Sequence, residues 1–365
     1  MRASRLQTIQ PTEPTGNTGP YIFLGGFRFL LALSVFLDHA GQYTPLADAR
    51  IEWGGLGVWL FYVVSGYVIF SAHDLFYRGR LGRFLANRCL RIYPTIWLCI
   101  LVSLIMYTVA ERTHTFAYPL ALDNYGIGDL LLSLSVIGGF LTPDAWAPLS
   151  PAATLTVEMK FYVIATSLFA ISPRTPLGED KFMFAAGILF LMLYVFIELT
   201  GGHYRFYGAL RYGPLFVLGA AAYQVHRSHW QSRGALSMLG IAYVFTLHFC
   251  LSMADTTEYI GFGFHEISMR TAALLSLLFA VLLVIATIRI SGPLKTVDRT
   301  IGDLTYPFYL VQAPLIDSYM ATNGITGMRG FVLLLFSVTL ASVAINLLVE
   351  RPLLALRRRW RGQVL

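Results

Sequence analysis

The chain has 365 residues, 56% hydrophobic and 13% charged, with 27 Lys and Arg against 20 Asp and Glu, a net charge of +7 and a mean hydropathy of +0.61. A soluble domain carries roughly 25% charged residues, so the composition excludes a string of soluble domains, and with them disordered, collagen-like and disulfide-scaffold classes. What is left is an all-α integral membrane protein, with Arg residues set between apolar segments as loop anchors and no basic domain for nucleic acid.

Residues 1–20 are polar and carry Pro11, Pro14 and Pro20, which predicts a disordered cytoplasmic tail. A spanning helix needs about 20 mostly apolar residues. Ten such segments follow, at 22–40, 55–72, 91–110, 155–172, 183–200, 208–226, 235–253, 267–290, 303–321 and 329–349. An eleventh apolar stretch, 129–141, is short and precedes Pro143 and Pro148, so it reads as a re-entrant helix. Ten spans place Arg78, Arg80, Arg83, Arg88, Arg174, Lys181, Arg227, Arg233, Lys295 and Arg299 on the cytoplasmic side with both termini. The opposite loops hold Asp48, Glu52, Asp123, Glu258 and Glu266, the charge bias expected across an inner membrane. The membrane domain is expected over 21–355, followed by a basic cytoplasmic tail at 356–365.

Ionisable groups inside spans are expensive and mark function by default. Arg28 and His39 share the first span. Eleven residues apart, they lie within about 20° of one face and about 16 Å apart in rise. Asp38 points about 100° away from its neighbour, so it is not an obvious partner for His39. In the second span the run Gly54-Gly55-Leu56-Gly57 and Ser65-Gly66 reads as close helix packing. The third opens with Arg83, Arg88 and Arg91. Arg88 and Arg91 are three apart and co-facial. They suit either phosphate binding or ordinary anchoring. Glu158 lies near the outer end of the fourth span, with Tyr162 one turn on. His203, Arg205, Arg211, His248, His265 and Arg270 collect near the outer surface and read as interfacial groups. His226 and His229 lack a third ligand, no HExxH, P-loop or GxSxG occurs, and Cys89, Cys99 and Cys250 form no CxxC, so no metal is expected.

Taken in order, these segments resemble membrane acyltransferase family 3, the integral-membrane O-acyltransferases of bacterial surface glycans. The likeness rests on Arg28 and His39 with ten residues between, and on Gly57-Val58-Trp59-Leu60-Phe61-Tyr62-Val63-Val64-Ser65-Gly66-Tyr67. It continues through Arg88-Cys89-Leu90-Arg91-Ile92-Tyr93-Pro94 and Leu155-Thr156-Val157-Glu158-Met159-Lys160-Phe161-Tyr162. It closes with Leu304-Thr305-Tyr306-Pro307-Phe308-Tyr309-Leu310-Val311-Gln312-Ala313-Pro314 and Glu350-Arg351-Pro352. Two departures stand out: Gln312 occupies a position where relatives often have His, and Pro307 interrupts the usual run. Ending at Leu365 without a hydrolase-like domain, the chain resembles the stand-alone members.

The resemblance implies transfer of an acyl group, usually acetyl, from cytoplasmic acyl-CoA to a hydroxyl of a glycan or lipid-linked sugar, alongside polysaccharide biosynthesis proteins. In that reading Arg83, Arg88 and Arg91 hold the phosphates of acetyl-CoA, and His39 is the general base or forms an acyl-His intermediate. Glu158 orients the imidazole or the sugar, Tyr162 contacts substrate, and Arg28 binds phosphate or the thioester oxyanion. A rival reading is a proton- or ion-coupled transporter of a glycan or small anion, using the same buried charges as a relay. A non-catalytic membrane partner would tolerate loss of His39.

Overall fold

The computed structural model describes residues 21–41, 53–112, 126–135, 149, 151–174, 176, 179–200, 210–255, 289–290, 293–321 and 327–361. It is an all-α membrane protein built from α1 (Gly25–Gly41), α2 (Trp53–Ala72), α3 (Leu81–Arg112), α4 (Ile127–Ser135), α5 (Ala152–Ile171), α6 (Glu179–Thr200), α7 (Gly213–Arg227), α8 (Arg233–Asp255), α9 (Pro293–Ala321), α10 (Gly327–Ile345) and α11 (Arg351–Arg361). Single π-turns at His73–Tyr77 and Asn346–Glu350 extend α2 and join α10 to α11. Among the described residues, six segments are long and apolar enough to cross a membrane: Gly54–Tyr77, Leu81–Met106, Thr154–Ile171, Glu179–Thr200, Arg233–Ser252 and Gly327–Leu354. Their outer faces carry exposed apolar side chains at helical spacing, such as Leu189, Met192 and Phe196 on α6 and Val332, Phe336 and Leu340 on α10. Contiguous apolar stripes of this kind belong against lipid, not water.

Several expected boundaries move. Tyr21–Ile22 is not the start of a span but a two-residue strand, β1, paired antiparallel with β2 (Arg289–Ile290). Helix α1 begins only at Gly25, where the Asp298 carboxylate accepts the Gly25 and Gly26 backbone N–H groups at 3.0 and 2.6 Å. That carboxylate fills the place of an N-cap side chain and meets the positive end of the helix dipole. A side chain at Gly25 would collide with the Asp298 backbone, which is why the first turn comes so close to α9. The eighth expected span, 267–290, lies outside the described residues except for the two of β2, as do the tail at 1–20 and residues 136–141 of the short apolar stretch. The basic tail expected from 356 is helical to Arg361, because the π-turn at Asn346–Glu350 carries the α10 helix onward into α11.

The core is continuous through α1, α2, α3, α5, α7, α8 and α9. Among the described residues, α2 packs extensively on α7, where Gly66 meets the Phe216 backbone and Gly219 meets that of Val63 and Tyr67. Here the glycines of α2 do the packing work their spacing suggested. Helix α2 runs in the same direction as α5, matching Tyr62 with Thr154, Ser65 with Glu158 and Phe70 with Phe169. Helix α1 runs parallel to α9, with Gly25 at Asp298 and both Phe29 and Phe36 on Phe308. The C-terminal end of α4 is received by α3: Tyr93 donates to the Ser135 carbonyl at 2.7 Å, and Trp97 to the Leu134 carbonyl at 2.8 Å. These are carbonyls that a helix end leaves unpaired.

Prolines inside helices leave carbonyls to be satisfied. Pro307 cannot donate to the Asp303 carbonyl, and Asn346 Nδ2 donates there instead at 2.9 Å. Past Asn346, Glu350 accepts from Thr95 Oγ1 at 2.5 Å and pairs with Arg357 at 3.6 Å. Arg357 Nε also donates to Asn87 Oδ1 at 3.2 Å, and Asn87 Nδ2 donates to Tyr77 OH. The closing Glu350-Arg351-Pro352 segment is thereby tied to the α3 turn that carries Arg88.

Candidate active site

Helices α1, α2, α3, α5 and α9 line a cavity partly open to its surroundings. Its wall holds Arg28 from α1, Ser65 from α2, Arg88 and Arg91 from α3, Glu158 and Tyr162 from α5, and Thr305, Tyr306 and Tyr309 from α9. Five of the seven residues singled out in the sequence therefore meet at one place.

Glu158 is the cavity's carboxylate. Its Oε1 accepts from Ser65 Oγ at 2.9 Å and from Tyr162 OH. Tyr162 reaches it because the two are one turn apart on α5, and Ser65 because α2 lies alongside in the same direction. With Oε1 taken by two hydroxyls, Oε2 is the oxygen left for a ligand.

Arg88 is buried, at 6% exposure, so it is not a snorkelling anchor. Its guanidinium lies 5.1 Å from the Phe84 ring centre and 5.2 Å from that of Tyr162, a cation–π clamp. Phe84 and Tyr162 contact each other edge-on, which fixes both rings. Among the described residues, none of Arg28, Arg88 and Arg91 forms an ion pair, although the cavity brings all three to its wall. Three guanidinium groups thus face a single carboxylate. A buried excess of positive charge is costly unless an anion completes it.

The remaining polar groups of the wall are mostly committed to the scaffold. Tyr306 OH donates to the Ile92 carbonyl at 2.9 Å, Thr154 Oγ1 and Tyr309 OH share a hydrogen bond of 2.7 Å, and Tyr62 OH donates to the Thr154 carbonyl at 3.4 Å. Thr305 Oγ1 is buried without a partner among the described residues. What the cavity offers a ligand is therefore cationic donors, one carboxylate oxygen and one free hydroxyl.

His39 and Arg83 do not line this cavity. Arg83 is exposed at the start of α3. Five residues before Arg88, it points about 140° away from it. His39 sits in the last turn of α1, about 16 Å in rise from Arg28. Glu158 was expected near the outer end of its span, orienting the imidazole or the sugar; among the described residues its hydrogen-bond partners are Ser65 and Tyr162, and it lines the cavity with Arg88 and Arg91. Asp38 packs on Gly54 of α2. Of the outer polar residues, Arg211 pairs with Glu198 at 3.3 Å and His248 Nδ1 meets Tyr194 OH at 2.9 Å, both serving the packing of α6. His203, Arg205, His265 and Arg270 lie outside the described residues. His226 Nδ1 meets Tyr67 OH at 2.5 Å. Among the described residues, no three His, Cys, Asp or Glu side chains converge as a metal site.

Ser65 and Thr305 were missed as site residues. Ser65 sits in a glycine-rich segment whose spacing speaks of packing, and only its hydroxyl within an apolar run signalled more. A second cavity lies between α2, α5, α6, α7 and α8. Its lining is apolar apart from Gln224, so it holds no groups for chemistry.

A family model described as an acyltransferase domain matches residues 21–351. No curated protein and no solved structure matches the chain.

Proposed function

The chain belongs to membrane acyltransferase family 3, and on that premise we propose that it moves an acetyl group from cytoplasmic acetyl-CoA to a hydroxyl of a cell-surface glycan or lipid-linked sugar. The observation that carries this reading is the cavity in which Arg28, Arg88 and Arg91 stand without ion-pair partners among the described residues, opposite a Glu158 already braced by Ser65 and Tyr162. Such a site calls for a ligand with several negative charges, and the phosphates of acyl-CoA answer that need.

In the proposed reaction His39 takes the proton of the acceptor hydroxyl. The oxygen attacks the thioester carbonyl, the carbon–sulfur bond breaks, and the proton passes to the departing thiolate, giving the O-acyl ester and free CoA. Arg88 and Arg91 hold the anionic end, and Arg28 stands at the near end of the α1 face that leads to His39. Glu158 Oε2 accepts a hydrogen bond from a part of the acceptor sugar remote from the reacting hydroxyl, which is at His39. The co-facial placing of Arg28 and His39, about 16 Å apart, supports a ligand that reaches from one to the other.

We further propose ten spans in the bacterial inner membrane with both termini in the cytoplasm. Helix directions support that count: α3 and α5 are antiparallel, as they are if 129–141 does not cross, and α8 and α9 point the same way, as they do if one crossing intervenes.

The test is thioester consumption. Purified protein in nanodiscs is given radiolabelled acetyl-CoA and glycan fractions, and free CoA and labelled glycan are followed. CoA release that depends on His39, with label on a glycan, is the expected result. Flux of substrate through liposomes without any CoA release would establish the transporter instead.

A further inference from the structure

We propose that Gln312 binds the secondary amides of the acyl-CoA arm; this deepens, and rests on, the donor reading above. Gln312 lies on α9 and is fully buried, at 0% exposure. Among the described residues, neither its Nε2 nor its Oε1 has a hydrogen-bond partner. A buried carboxamide with both ends unpaired is destabilising, and native interiors rarely keep one without a use. It does nothing for the fold that an apolar side chain of the same size would not do better.

Its position gives the use. Thr305, seven residues earlier, carries a hydroxyl that is likewise buried without a partner among the described residues, and it lines the arginine cavity. Seven residues are about 10.5 Å of helix and return within about 20° to the same face. Helix α9 runs parallel to α1, with Asp298 at Gly25 and Phe308 against Phe29 and Phe36. The row from Thr305 to Gln312 therefore runs from the Arg28 end of α1 toward its His39 end. Gln312 lies just beyond Tyr309, which is on the cavity wall, so a ligand reaching it extends the cavity by about one turn.

Open groups along this line change from cationic to neutral. A ligand that fits the order has a polyanionic head, then neutral hydrogen-bonding groups, then its reacting carbon. Acyl-CoA has that order: phosphates, the two secondary amides of the pantetheine arm, and the thioester. A free carboxamide offers two N–H donors and a carbonyl acceptor, the complement of an amide C=O and N–H. The Thr305 hydroxyl can serve the amide nearer the phosphates.

The experiment uses full-length Gln312→Met in nanodiscs, measuring thermal unfolding and equilibrium binding of two probes. CoA carries head and arm; adenosine 3′,5′-bisphosphate carries much of the head and no arm. Removal of the unpaired amide is expected to raise the unfolding temperature. The Kd for CoA is expected to rise about tenfold, the scale of one or two neutral hydrogen bonds, with the Kd for the bisphosphate unchanged. A CoA affinity within twofold of wild type overturns the inference and leaves the amide holding only water. An equal loss for both probes, or a fall in unfolding temperature, overturns it in favour of a structural role. Wild-type protein that binds neither probe overturns the donor reading itself, and this inference with it.

Discussion

Tyr162→Phe tests the site with little disturbance. Phenylalanine keeps the ring that packs on Phe84 at 6.1 Å and carries the Arg88 guanidinium at 5.2 Å. Only the hydroxyl that donates to Glu158 Oε1 is lost. A hydrogen bond to a charged group contributes about 1.5–3 kcal/mol, and each 1.36 kcal/mol is about tenfold in rate, so the range is about ten- to 150-fold. Ser65 still donates to the same oxygen at 2.9 Å, which puts the single variant at the lower end, a loss of about tenfold in kcat/KM. Ser65→Ala is expected to cost a similar factor. Because either hydroxyl partly covers for the other, the double variant should lose more than the product of the two single losses. The assay is CoA release from acetyl-CoA in nanodiscs with a saturating glycan fraction, and CoA binding run in parallel should change little. If Tyr162→Phe works within twofold of wild type while Glu158→Gln is dead, the carboxylate does not depend on its bracing and the reasoning fails.

Other expectations follow from the same contacts. His39→Ala should abolish transfer and leave the unfolding temperature unchanged, and transfer at the wild-type rate would remove it from the chemistry. Arg88→Met should weaken CoA binding by about tenfold or more, as loss of a charge-assisted contact does, whereas Arg83→Met, on the far face of α3, should not; titration with CoA decides. Arg357→Ala leaves the Glu350 carboxylate without its partner at 3.6 Å and should lower stability by about 3–5 kcal/mol, seen as a large drop in unfolding temperature or loss of expression. Asp298→Ala removes the acceptor of two α1 amides and should cost about 0.5–2 kcal/mol, read by thermal unfolding in detergent.

Most of the charged lining of the candidate cavity was legible in the sequence, and the reasons differ by residue. Arg28, Glu158 and the Arg88–Arg91 pair stood out because ionisable groups in apolar runs are costly wherever the chain places them. Tyr162 followed from its one-turn offset to Glu158. The sequence did not say that the supposed phosphate pair and the supposed catalytic carboxylate share one cavity. That depends on how α3 and α5 pack side by side, which spacing along either helix leaves open. Arg83 shows the converse: grouped with Arg88 by proximity in the chain, it is exposed and does not line the cavity, because five residues are not a whole number of turns. The bonds from Asp298 to Gly25 and from Glu350 to Thr95 join residues more than 250 positions apart, beyond any local pattern. Boundaries slipped where side chains from distant helices, not hydropathy, decide them, as at the start of α1.

Asn346 has a consequence beyond its own hydrogen bond. Pro307 takes one rung out of the α9 ladder, and the replacement rung belongs to another helix. Thr305 and Gln312 stand on either side of that gap. Any flexing of α9 that alters the spacing of its two open polar residues must therefore work against Asn346, and through the turn that follows it against Glu350 and α11. The stiffness of α9 between Thr305 and Gln312 is thus set in part by residues near the C-terminal end of the sequence. Substitutions there would detune the enzyme without touching the cavity, much as slackening a stay shifts a mast.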